Sequence, residues 1–235
     1  MKEFEIKERY DMDDYRALMH FLRGPEGCPW DRVQTHESIR RNVIEEAYET
    51  AHAIDTGDRE NLREELGDLL MQVLFHTDME EAEGGFTLDD VADTACKKLV
   101  FRHPHVFGTA SADDPEAVLT TWDEQKRAEK GQSTVTETLV SVAENLPALW
   151  RAEKIQKKAE AADFDLTDVR ERGERALSAG EIPDADDPAS AERVIGDLLF
   201  AAVSAARARK IDPETALHGA CARFIERFAA QEGRK

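Results

Sequence analysis

Cysteine is scarce in this chain of 235 residues: Cys28, Cys96 and Cys221 are three, scattered, and form no C-x-x-C pair. That excludes a disulfide framework and a cysteine zinc site, and it fits a reduced compartment. Positive charge is also short. Lysine and arginine number 31 against 50 aspartates and glutamates, for a net charge of −19. Such a balance excludes a broad nucleic-acid or anionic-membrane surface. No apolar run approaches the roughly 18 residues of a membrane span. The opening MKEFEIKERYDMDD has no apolar stretch of the kind a secretory leader needs, so a soluble, cytoplasmic protein is expected. There is no G-x-x-x-x-G-K-[ST] cradle, which disfavours a P-loop ATPase. Alternating strand patterns are missing as well, and nearly every periodic segment has helical spacing.

The hydrophobic content, 41%, is enough for a real core. The spacing predicts helices over 11–22, 36–55, 59–82, from Thr87 to about Phe101, through the stretch bearing Trp122 and Lys126, from Pro147 onward, and over 190–208 and 213–231. Thr87 and Asp90 read as a capping box. Between the first two helices lies RGPEGCPWDRVQTH, broken by Pro25, Gly27 and Pro29. The plainer reading of its lone Trp30 is a plug over the core. Its neighbours Asp31, Arg32, Gln34 and Thr35 also allow a loop that lines a substrate. Residues 111–117 read as a polar loop or cap, a break falls near Gly131 to Thr134, and 179–190 as an acidic linker. Domains of 1–134 and 135–235 follow.

The stretch that carries chemistry is EEAYETAHAIDTGDRENLREELGD, Glu45 to Asp68. Glu46/Glu49 and Glu65/Asp68 are carboxylate pairs at i, i+3, which puts both members of each pair on one helix face. Gly57 reads as a helix C-terminal cap and Asp58 as the N-cap of the next helix. Folded antiparallel about Gly57, Glu49 faces Glu65 and Glu46 faces Asp68, in two rungs about 12 and 16 Å from the turn at 1.5 Å per residue. Glu45 stands beside them. Like charges so close repel unless a cation binds, and all-oxygen ligands suit Mg²⁺ or Mn²⁺. A merely solvated acidic face is the alternative. Apolar stripes flanking the acids count against it: Ile39, Val43, Ala47, Ala51 and Ile54 on one helix, and Leu62, Leu66, Leu69, Leu70, Val73 and Leu74 on the other. A polar stripe, Asn61, Glu65, Asp68 and Gln72, accompanies the second.

Elsewhere, Lys98 and Arg102 share a helix face and would suit phosphate oxygens. His103 and His105 read as structural hydrogen-bonding groups. GDLLM at 67–71 recurs as GDLLF at 196–200, an internal repeat at an offset of 129. At that offset Glu45 maps to Glu174, Glu46 to Arg175, Glu49 to Ser178, Glu65 to Val194 and Asp68 to Asp197. Three of five acids are lost, so the second copy cannot hold the same metals.

The motifs RGPEGCPWDRVQTHESI, IEEAYE with REELGDLL, KKLVFRHPHVFG, WDEQK and RAEKIQKKA, in that order, resemble the MazG nucleoside triphosphate pyrophosphohydrolases over nearly the whole chain. The resemblance implies an all-α fold of two tandem MazG-like helical domains and a homodimer that completes the bundle. It implies Mg²⁺-dependent hydrolysis of nucleoside triphosphates to monophosphate and pyrophosphate, with Mn²⁺ a possible substitute. Glu46, Glu49, Glu65 and Asp68 would hold metal, and Glu45 would be a further ligand or orient water, with Glu45 or Glu49 as base. Arg102 and Lys126, with Lys98, would hold phosphates, and Trp30 and Gln34 would lie near the nucleotide. Phe101 stands where the family often has a second arginine. Arg175, Ser178 and Val194 stand where acids would be expected in a catalytic second repeat. Catalysis is therefore expected in the first domain. The second would be a structural or dimerising remnant, whose basic face of Arg151, Lys154, Lys157 and Lys158 still suits a nucleotide. Two rival readings are a di-iron carboxylate bundle, disfavoured because neither acid pair includes histidine, and a non-catalytic nucleotide-binding or scaffold module.

Overall fold

The computed structural model describes residues 4–108, 114–171, 173 and 188–232, and all regular structure among them is helical. The main helices are α1 (Met12–Arg23), α2 (Pro29–Arg32), α3 (His36–Thr56), α4 (Arg59–Ala82), α5 (Leu88–Arg102), α6 (Pro104–Phe107), α7 (Pro115–Glu129), α8 (Val135–Val140), α9 (Ala148–Glu160), α10 (Pro188–Arg207) and α11 (Pro213–Glu232), and residues 167–171 are helical as well. They form two compact units, Met1–Asp113 and Asp114–Lys235. That division falls ahead of α7, whereas the sequence reading put the domain boundary after 134. No described helix is long and apolar enough to cross a membrane.

Local chemistry sets the helix ends. Asp11, Thr35 and Thr87 each accept from the backbone N–H three residues on, while the residue there bonds back. Such a capping box satisfies two of the four donors a helix start leaves open. At the hairpin turn Gly57 caps α3 with φ +69°, a conformation glycine adopts without penalty. Asp58 then caps α4 by accepting from the N–H groups of Glu60 and Asn61. The expected linker ends early, since Pro188 already opens α10; its residues 179–187 lie outside the described set, as do 111–113.

In the first unit α3 and α4 share the most extensive contact of any described helix pair. The core lies at the end of this hairpin remote from Gly57. There Met19 of α1, Ile39 of α3 and Leu74, Phe75 and Met79 of α4 are buried, with Tyr15, Leu70, Met71 and Leu88 against them. Tyr15 Oη donates to the Gly67 carbonyl at 3.1 Å. Arg23 Nε reaches Asp78 Oδ2 at 2.8 Å, with its guanidinium over the Phe75 ring.

Two expectations about burial are corrected here. Ile54, Leu66 and Val73, placed in the apolar stripes, are exposed in the single chain, while Gln72 from the polar stripe is buried. All of the buried residues of α4 lie from Gln72 onward, where Leu74, Phe75 and Met79 pack with Met19 of α1 and Ile39 of α3; Leu66 precedes that stretch, and Val73 lies on the face the cluster leaves exposed. Trp30 is not a plug over the core either: it sits on the short helix α2 with 56% of its surface exposed.

In the second unit α9 packs on α10, and Gln156, Leu166, Ala201, Val203 and Ser204 are buried. α10 begins 129 residues after α4, the offset of the GDLL repeat. The first unit's tie between Arg23 and Asp78 has a counterpart of opposite polarity. Glu160 on α9 accepts from Arg207 on α10 at 2.7 Å, and Arg207 stands 129 residues after Asp78.

Candidate active site

Because Gly57 and Asp58 close the hairpin in two residues, positions equally far from the turn on α3 and α4 come face to face. Ile39 and Phe75 illustrate the register, both buried in one core cluster. About two turns nearer Gly57 the side chains on the facing sides become acids, beginning with Glu46 on α3 and Asp68 on α4. Carboxylate oxygens of Glu46, Glu49 and Glu65 lie within 4.8 Å of one another, with Glu46 and Glu65 half-buried and Glu49 exposed. The polar stripe of α4 thus faces α3.

The electrostatics register the crowding. Burial pushes the Glu46 carboxyl above its ordinary pKa, and the charges of Asp68, Glu49, Glu65 and Glu45 add to the rise. Glu65 is raised by burial and then by Glu49, Asp68 and Glu64. Three acceptor groups with no donor among them fit a hard, oxygen-seeking divalent cation, which would relieve this repulsion. Asp68 stands outside the close triple but near enough to raise Glu46. Glu45 also stands apart, its carboxylate 3.0 Å from Arg41 Nη2 one turn earlier.

The remaining sequence-predicted residues are placed as follows. Arg102 ends α5 and is buried, while Lys98 one turn earlier is exposed. His103 Nδ1 donates to the Leu99 carbonyl at 2.6 Å, the structural role expected of it. Gln34 spends both ends of its amide locally, donating to the Trp30 carbonyl and accepting from Ser38 Oγ. It braces the loop that presents Trp30. Trp122 and Lys126 lie half-buried on α7 of the second unit. Glu174, Arg175 and Ser178 fall outside the described residues; Val194 is half-buried and Asp197 exposed on α10.

Sequence reasoning missed Tyr15. Its hydroxyl is raised by burial and then by the charge of Asp68, so it borders the acidic cluster from α1. A tyrosine some fifty positions from its carboxylate neighbour leaves no periodic signal; only the packing of α1 on α4 brings the two together.

An all-helical hairpin whose inner face carries an oxygen-only acidic cluster defines a class of helical proteins built for divalent cations. Comparison with known proteins narrows it. Residues 34–107 match the family model of the MazG nucleotide pyrophosphohydrolase domain. The chain is 42% identical over 219 residues to the nucleoside triphosphate pyrophosphohydrolase/pyrophosphatase MazG of Thermotoga maritima, covering 92% of this chain and 83% of that protein. It is 39% identical over 230 residues to the nucleoside triphosphate pyrophosphohydrolase of Escherichia coli K12, covering 94% and 87%. To the uncharacterized protein YabN of Bacillus subtilis it is 42% identical over 225 residues, covering 94% of this chain and 46% of that one. The chain belongs to the MazG family.

Proposed function

We propose that this protein is a nucleoside triphosphate pyrophosphohydrolase, releasing monophosphate and pyrophosphate at the carboxylate cluster of its first unit. The observation that carries the reading is the convergence of Glu46, Glu49 and Glu65 oxygens within 4.8 Å on the α3–α4 hairpin, in a chain alike over nearly its full length to proteins named for that activity.

A triphosphate brings about four negative charges, so a site of carboxylates must receive it through cations. Glu46, Glu49, Glu65 and Asp68 would hold Mg²⁺, with Mn²⁺ as substitute. Bound there, the cation would neutralise phosphate charge and acidify water. The chain's own groups do the rest. Glu45 or Glu49, the latter the exposed member of the triple, would take the proton of a water attacking the α-phosphorus. Glu45, paired with Arg41 and near enough to raise Glu46, would orient that water or add a further metal ligand. Arg102, with Lys98, would stabilise charge on the leaving pyrophosphate, and Trp30 offers an exposed ring for a base. The homodimer reading is supported by the exposed Ile54, Leu66 and Val73, which a second copy would cover.

The test is turnover of triphosphate in Mg²⁺ and in chelator, for the native chain and for Glu49→Gln. Activity should require the metal, and Glu49→Gln should lower kcat by about 10² to 10³. Full turnover by Glu49→Gln at saturating Mg²⁺ would place the reaction elsewhere.

A further inference from the structure

Of the four acids read as cation ligands, Asp68 is the one outside the close triple. Two polar groups flank it that the carboxylate reading leaves unused. From α1, Tyr15 reaches the backbone of the acid-bearing turn. Its hydroxyl donates at 3.1 Å to the carbonyl of Gly67, the residue before Asp68. The charge of Asp68 is felt at that hydroxyl, which places the two near each other. One turn beyond Asp68, on the stripe that faces α3, stands Gln72, only 3% exposed. Its Oε1 is buried and accepts no hydrogen bond among the described residues.

Both groups present acceptor oxygens that are not filled. A phenol has one proton, and the Gly67 carbonyl takes it, which leaves the lone pairs of Oη open. A buried amide carbonyl without a donor is destabilising, and a folded chain that keeps one calls for a reason. An apolar side chain of similar length would fill the place of Gln72 without that cost. The Tyr15 ring packs against the core cluster, but phenylalanine would pack there equally. The core requires neither polar group.

We propose that Tyr15 and Gln72 are positioning residues, accepting hydrogen bonds from water that the cation carries on its Asp68 side. The proposal rests on the cation reading of the carboxylate cluster. Mg²⁺ dehydrates reluctantly and keeps several waters when carboxylates bind it. A free water seeks donors as well as acceptors. Water on a cation has its oxygen engaged by the metal, so both of its protons are left to give. Two open acceptors beside Asp68 match that demand. Outer contacts of this kind orient a metal's ligands, and losing one lowers metal affinity about 10- to 100-fold.

The experiment is titration of the full chain with Mn²⁺, the free ion being followed by its electron paramagnetic resonance. Tyr15→Phe and Gln72→Met each remove an acceptor and keep the bulk of the side chain; Glu46→Gln is the control for the cluster itself. Both positioning variants should bind Mn²⁺ about tenfold more weakly or worse. Thermal melts in chelator should show Gln72→Met melting no lower than the native chain, and Tyr15→Phe within a few degrees of it. Unchanged Mn²⁺ affinity in either variant, with Glu46→Gln still losing it, would overturn this proposal alone. A native chain that binds no Mn²⁺, or Glu46→Gln binding as the native chain does, would overturn the cation reading and this proposal with it. Weaker binding matched by a large drop in melting temperature would mean a purely structural role, and would overturn the proposal as well.

Discussion

Glu46 and His76 pull the pH dependence of stability in opposite directions, and the signs follow from their surroundings. Glu46 and Glu65 have carboxyls raised above the ordinary 4.5, so the folded chain binds more protons than the unfolded one just above that value. Their contribution therefore falls as pH rises through the window from 4.5 up to the raised values. His76 is lowered from 6.5, by burial first and then by His36. Here the unfolded chain binds more protons, so stability rises with pH between the lowered value and 6.5 and is lost as pH falls through that window. Replacing His76 with asparagine should flatten the upper arm of a stability-against-pH curve measured by denaturant unfolding. A cation in the cluster must displace protons from Glu46 and Glu65. Calorimetry in buffers of different ionisation enthalpy should then show proton release on Mg²⁺ binding near pH 5, vanishing toward neutrality. Glu49→Gln relieves repulsion on Glu65 and Glu46, so in chelator it should melt no lower than the native chain while losing activity. A lower melting temperature would mean that Glu49 supports the fold instead.

The helix hairpin owes its register to one turn. At Gly57, with φ +69° and open space where a Cβ would stand, alanine costs conformational energy and no clash, about 1 kcal/mol; a thermal melt of Gly57→Ala should show it. The inverted ion pairs make a sharper prediction. Arg23 and Asp78 are both nearly buried, so Asp78→Arg should destabilise the first unit by about 3 kcal/mol or more. Adding Arg23→Glu, which copies the polarity of Glu160 and Arg207, should recover a good part of the loss. What was legible in the sequence was local. Gly57, Asp58 and the Thr87–Asp90 box act within four residues, and the acidic face could be read by counting from the turn. The burial of α4 was not legible, because it depends on where α1 crosses. Leu66 lies nearer the turn than any buried residue of α4, Val73 lies on the face the core cluster leaves exposed, and Trp30 stands exposed on α2; each outcome depends on contacts between helices distant in the chain. The reversed polarity of Glu160 and Arg207 pairs residues 47 apart in the chain, and no periodicity marks it.

As a whole molecule the chain forms two compact helical units, and the triple of close carboxylates among the described residues lies in the first. At the offset of 129, α10 has Asp197 where α4 has Asp68 and Val194 where α4 has Glu65. The two units are therefore expected to differ in metal use: Asp197→Asn should leave Mg²⁺-dependent turnover unchanged, whereas Glu46→Gln should nearly abolish it. Light scattering should give twice the chain mass of 26.4 kDa if a second copy covers Leu66 and Val73, and Leu66→Lys should shift that mass toward the single chain. Phosphorus NMR of the products formed from a nucleoside triphosphate in Mg²⁺ tests directly whether the first unit's carboxylates direct cleavage between the α and β phosphates. Monophosphate and pyrophosphate in equal amounts, absent with Glu46→Gln, is the predicted result. Orthophosphate and diphosphate, or no turnover by folded protein with Mg²⁺ or Mn²⁺, would contradict it.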